Sequence, residues 1–134
     1  MTTHVQTLPR LDPHFIYAAD AVGSLVFGIA LLFTATQVTE LAGWNMPSSF
    51  LRTVGLLLLP WAAFNLWIGR APRPPRAAVI ANIAGDTIWV TLSAALVAIH
   101  MTSLSAIGLA MLAGQGIAVT GVLALKLLGA RNLV

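Results

Sequence analysis

The stretch "AAVIANIAGDTIWVTLSAALVAI", residues 77–99, decides the fold of this chain. It is longer than the roughly 20 apolar residues that a helix needs to cross a hydrocarbon layer about 30 Å thick. It nevertheless contains a carboxylate, Asp86, one helical turn after the amide of Asn82. A membrane-spanning helix that carries such groups must turn them towards other helices, because lipid offers them no hydrogen bonds.

The composition of the whole chain agrees with a membrane protein. Of its 134 residues, 58% are hydrophobic and only 8% are charged, whereas soluble domains carry about 25% charged residues. The apolar residues fall into four long blocks. We therefore predict an all-α membrane protein, a four-transmembrane-helix bundle with short loops, as a single domain over residues 1–134. The predicted helices cover about residues 13–35, 49–69, 76–99 and 103–128.

The distribution of basic residues predicts the orientation of this bundle. Cytoplasmic loops carry an excess of Lys and Arg. In a four-pass topology only Arg52 falls on one side, and the other side carries Arg10, Arg70, Arg73, Arg76, Lys126 and Arg131. We predict a multi-pass protein of the cell inner (plasma) membrane with both termini in the cytoplasm.

Each of the four apolar blocks contains a polar residue. An ionisable side chain near the bilayer centre costs about 2.5–3.5 kcal/mol on insertion scales, so each needs a reason. Counted at about 1.5 Å per residue from the helix ends, all of them lie at or below the midplane on the cytoplasmic side. The polar residues are Asp20, Asn65, Asn82, Asp86 and Gln115.

Helical spacing places these groups on inward-facing surfaces. Asn82, Asp86 and Trp89 share one face of helix three, and Trp61 and Asn65 share one face of helix two. We predict a small polar pocket in the cytoplasmic half of the bundle, walled by Trp61 and Trp89. Its ligand-binding or proton-relay residues are predicted to be Asp20, Asn65, Asn82, Asp86, Trp89, Trp61 and Gln115.

The two aspartates raise a question of charge. Lys126 is interpreted as a residue at the end of helix four, so no basic residue is expected at the depth of Asp20 and Asp86. Burial and mutual repulsion both disfavour the ionised form of a carboxyl group. We therefore expect at least one of the two acids to be protonated near neutral pH.

The polar residues have a structural interpretation as well as a functional one. Polar side chains between membrane helices contribute about 0.6 kcal/mol each without any ligand. The alternative is a binding or proton-relay site, and a transporter built from four short helices would require an oligomer. A stripe of small residues on helix four suits close helix contact, either in a homo-oligomer or, as we favour, inside the bundle. The stripe is formed by Ala110, Gly114, Ala118 and Gly121.

Several classes of function lack their usual residues. The chain has no cysteine, and His14 and His100 lie at opposite ends of the predicted bundle, which argues against a haem held by two histidines. The HExxH, G-x-S-x-G and P-loop motifs are absent from the sequence. The seven Lys and Arg residues are scattered rather than clustered with aromatics. We expect no cofactor, no metal, no catalytic residue and no nucleic-acid partner.

On the outer side, Arg52 at the head of helix two and Glu40 before it predict an ion pair that pins the connecting loop. A lipid headgroup bound by Arg52 is the alternative.

The run "FLRTVGLLLLPWAAFNLWIGR", residues 50–70, is followed by a basic, proline-rich loop and by "DTIWVTLSAALV", residues 86–97. With Arg52, Gly55, Asp86 and Trp89, this order resembles small bacterial four-helix integral membrane proteins that have no assigned activity. A looser similarity to DoxX-like proteins concerns the architecture. The resemblance implies a four-helix fold and transfers no catalytic role.

These observations lead to one main expectation for function. We expect a non-enzymatic integral membrane protein, either an accessory subunit or a binder of a small apolar or lipid-like ligand in the polar pocket. Its partners would be the lipid bilayer and an apolar ligand or another membrane protein. The alternative is an oligomeric proton-coupled transporter of small solutes that uses Asp20 and Asp86, and a membrane-embedded enzyme is the third choice.

Overall fold

The structure is a computed structural model that describes residues 12–133, and these residues form four α-helices. The helices are α1 (Pro13–Ala42), α2 (Ser48–Arg70), α3 (Arg76–His100) and α4 (Ala106–Leu133). All four are long and apolar enough to cross a membrane. The predicted all-α fold with four candidate membrane-spanning helices is confirmed. Arg10, which contributes to the predicted orientation, lies outside the described residues.

Helix α1 is longer than predicted. Its start follows the sequence, because the Asp12 carboxylate accepts a hydrogen bond from the backbone N–H of His14 at 3.0 Å and caps the helix. The hydropathy predicts an end near residue 35, but the more polar residues that follow contain no Gly or Pro, and the helix continues to Ala42. It stops at Gly43, whose φ of 61° is the left-handed conformation that ends many helices.

Helix α4 begins and ends later than predicted. Its first turn is capped by Ser105, whose Oγ accepts a hydrogen bond from the N–H of Gly108 at 3.0 Å. The helix then runs to Leu133 instead of ending near residue 128, so that Gly129 lies within it. The bounds of α2 and α3 differ from the prediction by at most one residue at each end.

Helices α1 and α2 are in close backbone contact. A Cβ atom on Gly55 would lie 2.8 Å from the carbonyl oxygen of Gly28, and one on Gly69 would lie 3.0 Å from the backbone nitrogen of Ala18. Only glycine permits this approach. In lipid, where apolar side chains gain little by leaving the solvent, such close packing is a main source of helix association.

The loops and chain ends define two ends of the bundle. The end at which α1 begins and α4 ends, called here the terminal end, also carries the α2–α3 loop. There the Nε2 of His14 lies 2.9 Å from the carbonyl oxygen of Ala71. At the opposite end, which carries the other two loops, the N–H of Ser105 donates to the carbonyl oxygen of Ala42 at 2.9 Å. The first bond joins the start of α1 to the end of α2, and the second joins the end of α1 to the loop before α4.

The outer and inner surfaces of the bundle have contrasting composition. Large apolar side chains such as Phe33, which is 81% exposed, and Leu128, which is 80% exposed, cover the outside, as expected for contact with lipid. A small apolar core lies at the terminal end and contains Tyr17, Ile68, Val79 and Leu133. The buried polar and charged residues are Asn65, Asn82, Asp86, Ser93 and Lys126.

Candidate functional site

The ammonium group of Lys126 is the centre of the buried polar residues. It lies 2.6 Å from Oδ2 of Asp20 on α1 and 2.6 Å from Oδ2 of Asp86 on α3. It also lies 2.8 Å from Oδ1 of Asn82 on α3 and 3.0 Å from Oδ1 of Asn65 on α2. An ammonium group has three N–H donors, so these four oxygens satisfy all of them. One side chain of α4 therefore contacts the other three helices.

The expectation that no basic residue lies beside the two aspartates is wrong. Because α4 extends to Leu133, Lys126 lies inside the helix rather than at its end, and its side chain is completely buried. It forms an ion pair with both Asp20 and Asp86. One ammonium balances only one of the two acids, so the expectation that at least one of them is protonated near neutral pH stays a prediction.

The cluster of Asp20, Asn65, Asn82, Asp86 and Lys126, called here the lysine cluster, is not balanced in charge. Two carboxylates face one ammonium, so that with every group ionised one negative charge has no counter-ion. An uncompensated charge is costly in a medium of low dielectric constant. The cluster therefore attracts one further positive charge.

Hydrogen bonds outside the ammonium contacts orient the acceptor groups. The Nδ2 of Asn82 donates to Oδ1 of Asn65 at 3.2 Å, and the Nδ2 of Asn65 donates to the carbonyl oxygen of Trp61 at 3.0 Å. The Oγ of Ser24 donates to Oδ1 of Asp20 at 3.2 Å. Each amide thus turns its oxygen towards Lys126.

Aromatic rings surround the same lysine. Its Nζ lies 4.8 Å from the centre of the Tyr17 ring and 6.0 Å from the centre of the Trp61 ring. Aromatic faces attract cations at such distances. The Tyr17 hydroxyl is buried and has no hydrogen-bond partner among residues 12–133, so the tyrosine acts on Lys126 through its ring.

A cavity of about 640 Å³ lies beside the lysine cluster. Its walls are mainly apolar, and Asp20 and Asp86 form part of them. Ligand pockets in proteins commonly have volumes of about 300–1,000 Å³ with this mixture of apolar walls and few polar groups. The lining residues are Phe15, Ile16, Ala19, Asp20, Gly23, Ser24 and Phe27 of α1, Leu57, Leu58 and Trp61 of α2, Gly85, Asp86 and Trp89 of α3, and Gln115, Ala118, Val119, Val122 and Leu125 of α4.

The exposed residues that line the cavity lie mainly on α1 and α4. These helices touch at both ends, where a Cβ atom on Gly108 would lie 2.8 Å from the Cβ of Ala42 and one on Gly129 would lie 3.0 Å from the Cβ of Pro13. Between these contacts the lining residues of both helices include exposed ones, among them Ala19, Gly23 and Ala118. The opening therefore faces the surface that lipid would cover.

Trp61 forms one wall of the cavity because α3 has a glycine opposite it. A Cβ atom on Gly85 would collide with the Trp61 ring, so the ring lies directly against the backbone of α3. This contact links α2 to α3 near the lysine cluster.

A second polar group joins α3 to α4 further from the terminal end. The Nε1 of Trp89 donates to Oε1 of Gln115 at 2.8 Å, and the Nε2 of Gln115 donates to Oγ of Ser93 at 2.9 Å. The same nitrogen donates to the carbonyl oxygen of Leu112 at 2.9 Å. All polar atoms of the Gln115 side chain are thus paired.

The structure brings the predicted pocket residues into two groups. Four of them, Asp20, Asn65, Asn82 and Asp86, surround Lys126. Trp89 and Gln115 bond to each other, and Trp61 lies between the cluster and the cavity. The residue that the sequence prediction omitted from the pocket is Lys126. Its spacing was informative, because it follows Gln115 by the same interval, eleven residues, that separates Ser93 from Asn82.

The predicted ion pair between Arg52 and Glu40 is absent from the described structure, in which both residues are exposed. Aromatic contacts hold this end of the bundle instead. The ring centre of Trp44 lies 5.6 Å from that of Phe50 and 5.4 Å from that of His100. These contacts connect the α1–α2 loop to α2 and α3, so the loop is anchored without a salt bridge.

The small-residue stripe on α4 faces outward. All four of its residues are exposed, and a Cβ atom on Gly114 or Gly121 would meet nothing within 4 Å. The favoured expectation, that the stripe packs α4 inside its own bundle, is therefore wrong. Contact of the stripe with a second copy of the chain stays a prediction.

Fold and site together define a class of protein: a four-helix bundle of membrane-spanning length with a buried lysine cluster beside a lateral cavity. Among residues 12–133, no group of three or more His, Cys, Asp and Glu side chains is placed to hold a metal ion. Compared with known protein families, with curated proteins and with solved structures, the chain matches none. The resemblance to small bacterial membrane proteins therefore stays a prediction.

Proposed function

We propose that this protein is a non-enzymatic integral membrane protein that binds a small, largely apolar ligand in the cavity beside the lysine cluster. The observation that carries the proposal is a cavity of about 640 Å³ whose exposed lining residues lie mainly on α1 and α4, which favours an opening towards the lipid. A molecule dissolved in the bilayer reaches such an opening without passing through water.

The polar residues support binding rather than catalysis. The oxygens of Asp20, Asp86, Asn65 and Asn82 are held by Lys126, and two of these residues, Asp20 and Asp86, form a fixed polar part of the cavity wall. Fixed polar groups in an apolar pocket orient a ligand and provide selectivity. An accessory role would use the cavity or the small-residue stripe on α4. In that role the bound ligand or the stripe recruits another membrane protein.

The proposed orientation keeps both termini in the cytoplasm of the cell, with the helices in the inner (plasma) membrane. Lys126 no longer contributes to this argument, because it is buried. The remaining described arginines still support it, since Arg70, Arg73, Arg76 and Arg131 lie at the terminal end and only Arg52 lies at the other. A reporter enzyme that works only in the cytoplasm should be active when it is fused to the C-terminus. Activity of a fused reporter that works only outside the cytoplasm would reverse the proposed orientation.

The ligand proposal is tested by fluorescence quenching in lipid nanodiscs. In a Trp44→Phe/Trp67→Phe background the remaining tryptophans, Trp61 and Trp89, both line the cavity. We expect a brominated alkylbenzene to quench their emission saturably. Gly23→Leu should reduce this quenching at least fivefold, because the new side chain enters the cavity where nothing lies within 4 Å of its Cβ.

Gly114→Leu is the matched control, because position 114 also has nothing within 4 Å of a new Cβ but does not line the cavity. It should leave the quenching unchanged. Quenching that rises without saturation, or that is the same in the Gly23 and Gly114 variants, would exclude a ligand in the cavity.

The uncompensated carboxylate of the lysine cluster favours a second function. A group that takes up one proton inside a membrane suits proton-coupled transport of small solutes by an oligomer, with Asp20 and Asp86 as the titrating residues. In proteoliposomes this function predicts solute uptake driven by a pH gradient and abolished by Asp86→Asn. A binding or accessory role predicts no such uptake.

A further inference from the structure

We infer that the ligand of this cavity is a lipophilic cation, an amine or quaternary ammonium with an aromatic or alkyl body, whose charge lies beside Asp20. This inference rests on the proposed binding function and names the chemical class of its ligand. It follows from the charge of the lysine cluster, the accessibility of its two acids and the composition of the cavity walls.

The ionisable groups beside the cavity carry more negative than positive charge. The ionisable groups that face one another are Asp20 and Tyr17 on α1, Asp86 on α3 and Lys126 on α4. Helix α2 contributes the uncharged Asn65 and Trp61. One ammonium balances one carboxylate, so a monovalent cation completes the neutrality of the site.

Both acids line the cavity, but Asp20 is the more accessible of the two. The Asp20 side chain is 17% exposed, whereas that of Asp86 is 4% exposed and that of Lys126 is completely buried. Asp20 uses Oδ2 for Lys126, while its Oδ1 accepts a single bond of 3.2 Å from Ser24. A carboxylate oxygen can accept more than one hydrogen bond, so Oδ1 is free to face a bound cation.

The walls suit the body of such a cation. Trp61, Trp89, Phe15 and Phe27 line the same cavity as Asp20, and aromatic faces attract quaternary ammonium groups. An anionic lipid or fatty acid would meet the partly exposed carboxylate of Asp20, while Lys126 is completely buried, is enclosed by four oxygens and does not line the cavity. A neutral apolar ligand would leave the excess charge to be compensated by a proton instead.

The test compares two probes of the same shape that differ in charge. Phenyltrimethylammonium and its carbon isostere tert-butylbenzene each displace the brominated alkylbenzene from the protein in nanodiscs, with partition into empty nanodiscs subtracted. We expect the cation to bind at least tenfold more tightly than the isostere. Lowering the pH should weaken the cation alone, because a proton on the cluster replaces the charge that the cation balances.

Asp20→Asn keeps an oxygen for Lys126 and removes the excess charge. It should lower the affinity of the cation at least tenfold and change that of tert-butylbenzene less than twofold. Glu40→Gln, which removes an exposed acid from the far end of the same helix, is the control and should change neither affinity. If Asp20→Asn fails to fold, the preference of the wild-type protein and its pH dependence decide the question.

The outcomes separate this inference from the function on which it rests. Equal affinity for both probes in the wild-type protein would overturn the cation and leave the ligand-binding function in place. Failure of both probes to displace the brominated compound saturably would overturn both. Tighter binding of the cation that survives Asp20→Asn would place the charge elsewhere and overturn the role of Asp20.

Discussion

Two contacts within this bundle are made in opposite ways. Helices α1 and α2 meet through glycine, where the backbones of Gly28 and Gly55 almost touch. Helices α2 and α3 approach each other mainly through side chains, with Asn65 bonded to Asn82 and the Trp61 ring against the backbone of α3. The first contact depends on shape and the second on polar groups and one large ring.

The difference shows how four helices can associate in lipid. Because lipid tails are as apolar as leucine, helices gain little from burying apolar side chains, and close packing or hydrogen bonding must supply the association. The glycine contact supplies close packing to one helix pair, α1 and α2. The lysine cluster supplies hydrogen bonds to all four helices at once, so its loss should affect the whole bundle rather than one helix pair.

The largest expected effect comes from removing the shared cation. Lys126→Leu leaves the buried Asp86 and the partly exposed Asp20 without a counter-charge, and breaking a buried pair costs about 3–5 kcal/mol. Unfolding of the purified protein in mixed micelles by increasing detergent denaturant measures the loss. Arg131→Leu, at an exposed position on the same helix, should change the free energy of unfolding little.

Adding Asp20→Asn and Asp86→Asn to Lys126→Leu should restore part of the stability, because the buried charges are then gone. A Lys126→Leu protein as stable as the wild type would show that the cluster does not hold the bundle together.

A smaller and more local effect is expected at the glycine contact. In Gly55→Ala the new Cβ would lie 2.8 Å from the Gly28 carbonyl oxygen, so α1 and α2 must move apart. Overpacking of this kind costs about 1–3 kcal/mol. Gly23→Ala is the matched control, since its Cβ meets nothing within 4 Å. The same unfolding measurement should separate the two, and equal stability of both variants would show that the close contact is not needed.

The smallest expected effect concerns the polar link between α3 and α4. Gln115→Leu leaves the Nε1 of Trp89 without its acceptor, and such interhelical bonds contribute about 0.6 kcal/mol on average and at most about 1.7 kcal/mol. The loss should therefore be well below that of Lys126→Leu. A Gln115→Leu protein as unstable as the lysine variant would mean that the two polar groups act as one unit.

The sequence allowed the four helices and the inward faces of α2 and α3 to be predicted, because hydropathy and helical spacing are local properties. Asn82, Asp86 and Trp89 lie where their spacing predicted. The end of α1 was set too early because hydropathy falls before the helix stops at Gly43. Hydropathy reports where lipid begins and ends, and helix caps depend on individual hydrogen bonds.

Lys126 was misplaced for a related reason. A basic residue near the predicted end of a transmembrane helix usually extends to the membrane surface, and the rule for orientation counts it there. Its burial depends on α4 continuing to Leu133 and on acceptors from three other helices, two of them more than 60 residues away in the sequence. The spacing from Gln115 indicates the helix face on which Lys126 lies, but no local pattern shows that three other helices supply its acceptors. For Lys126 a contact was missed, whereas for Arg52 and Glu40 a contact was predicted that the described structure lacks. Opposite charges near one loop do not ensure an ion pair.

The position of Lys126 in the chain also has a consequence for biosynthesis. Helices α1, α2 and α3 are synthesised first and carry both acids of the cluster, while Lys126, the one cation among residues 12–133 that pairs with them, arrives with α4. An intermediate of three inserted helices would thus hold both acids without this cation, and insertion of α4 would supply the charge that balances one of them. We therefore expect the four-helix bundle to reach its folded state only after α4 has been inserted.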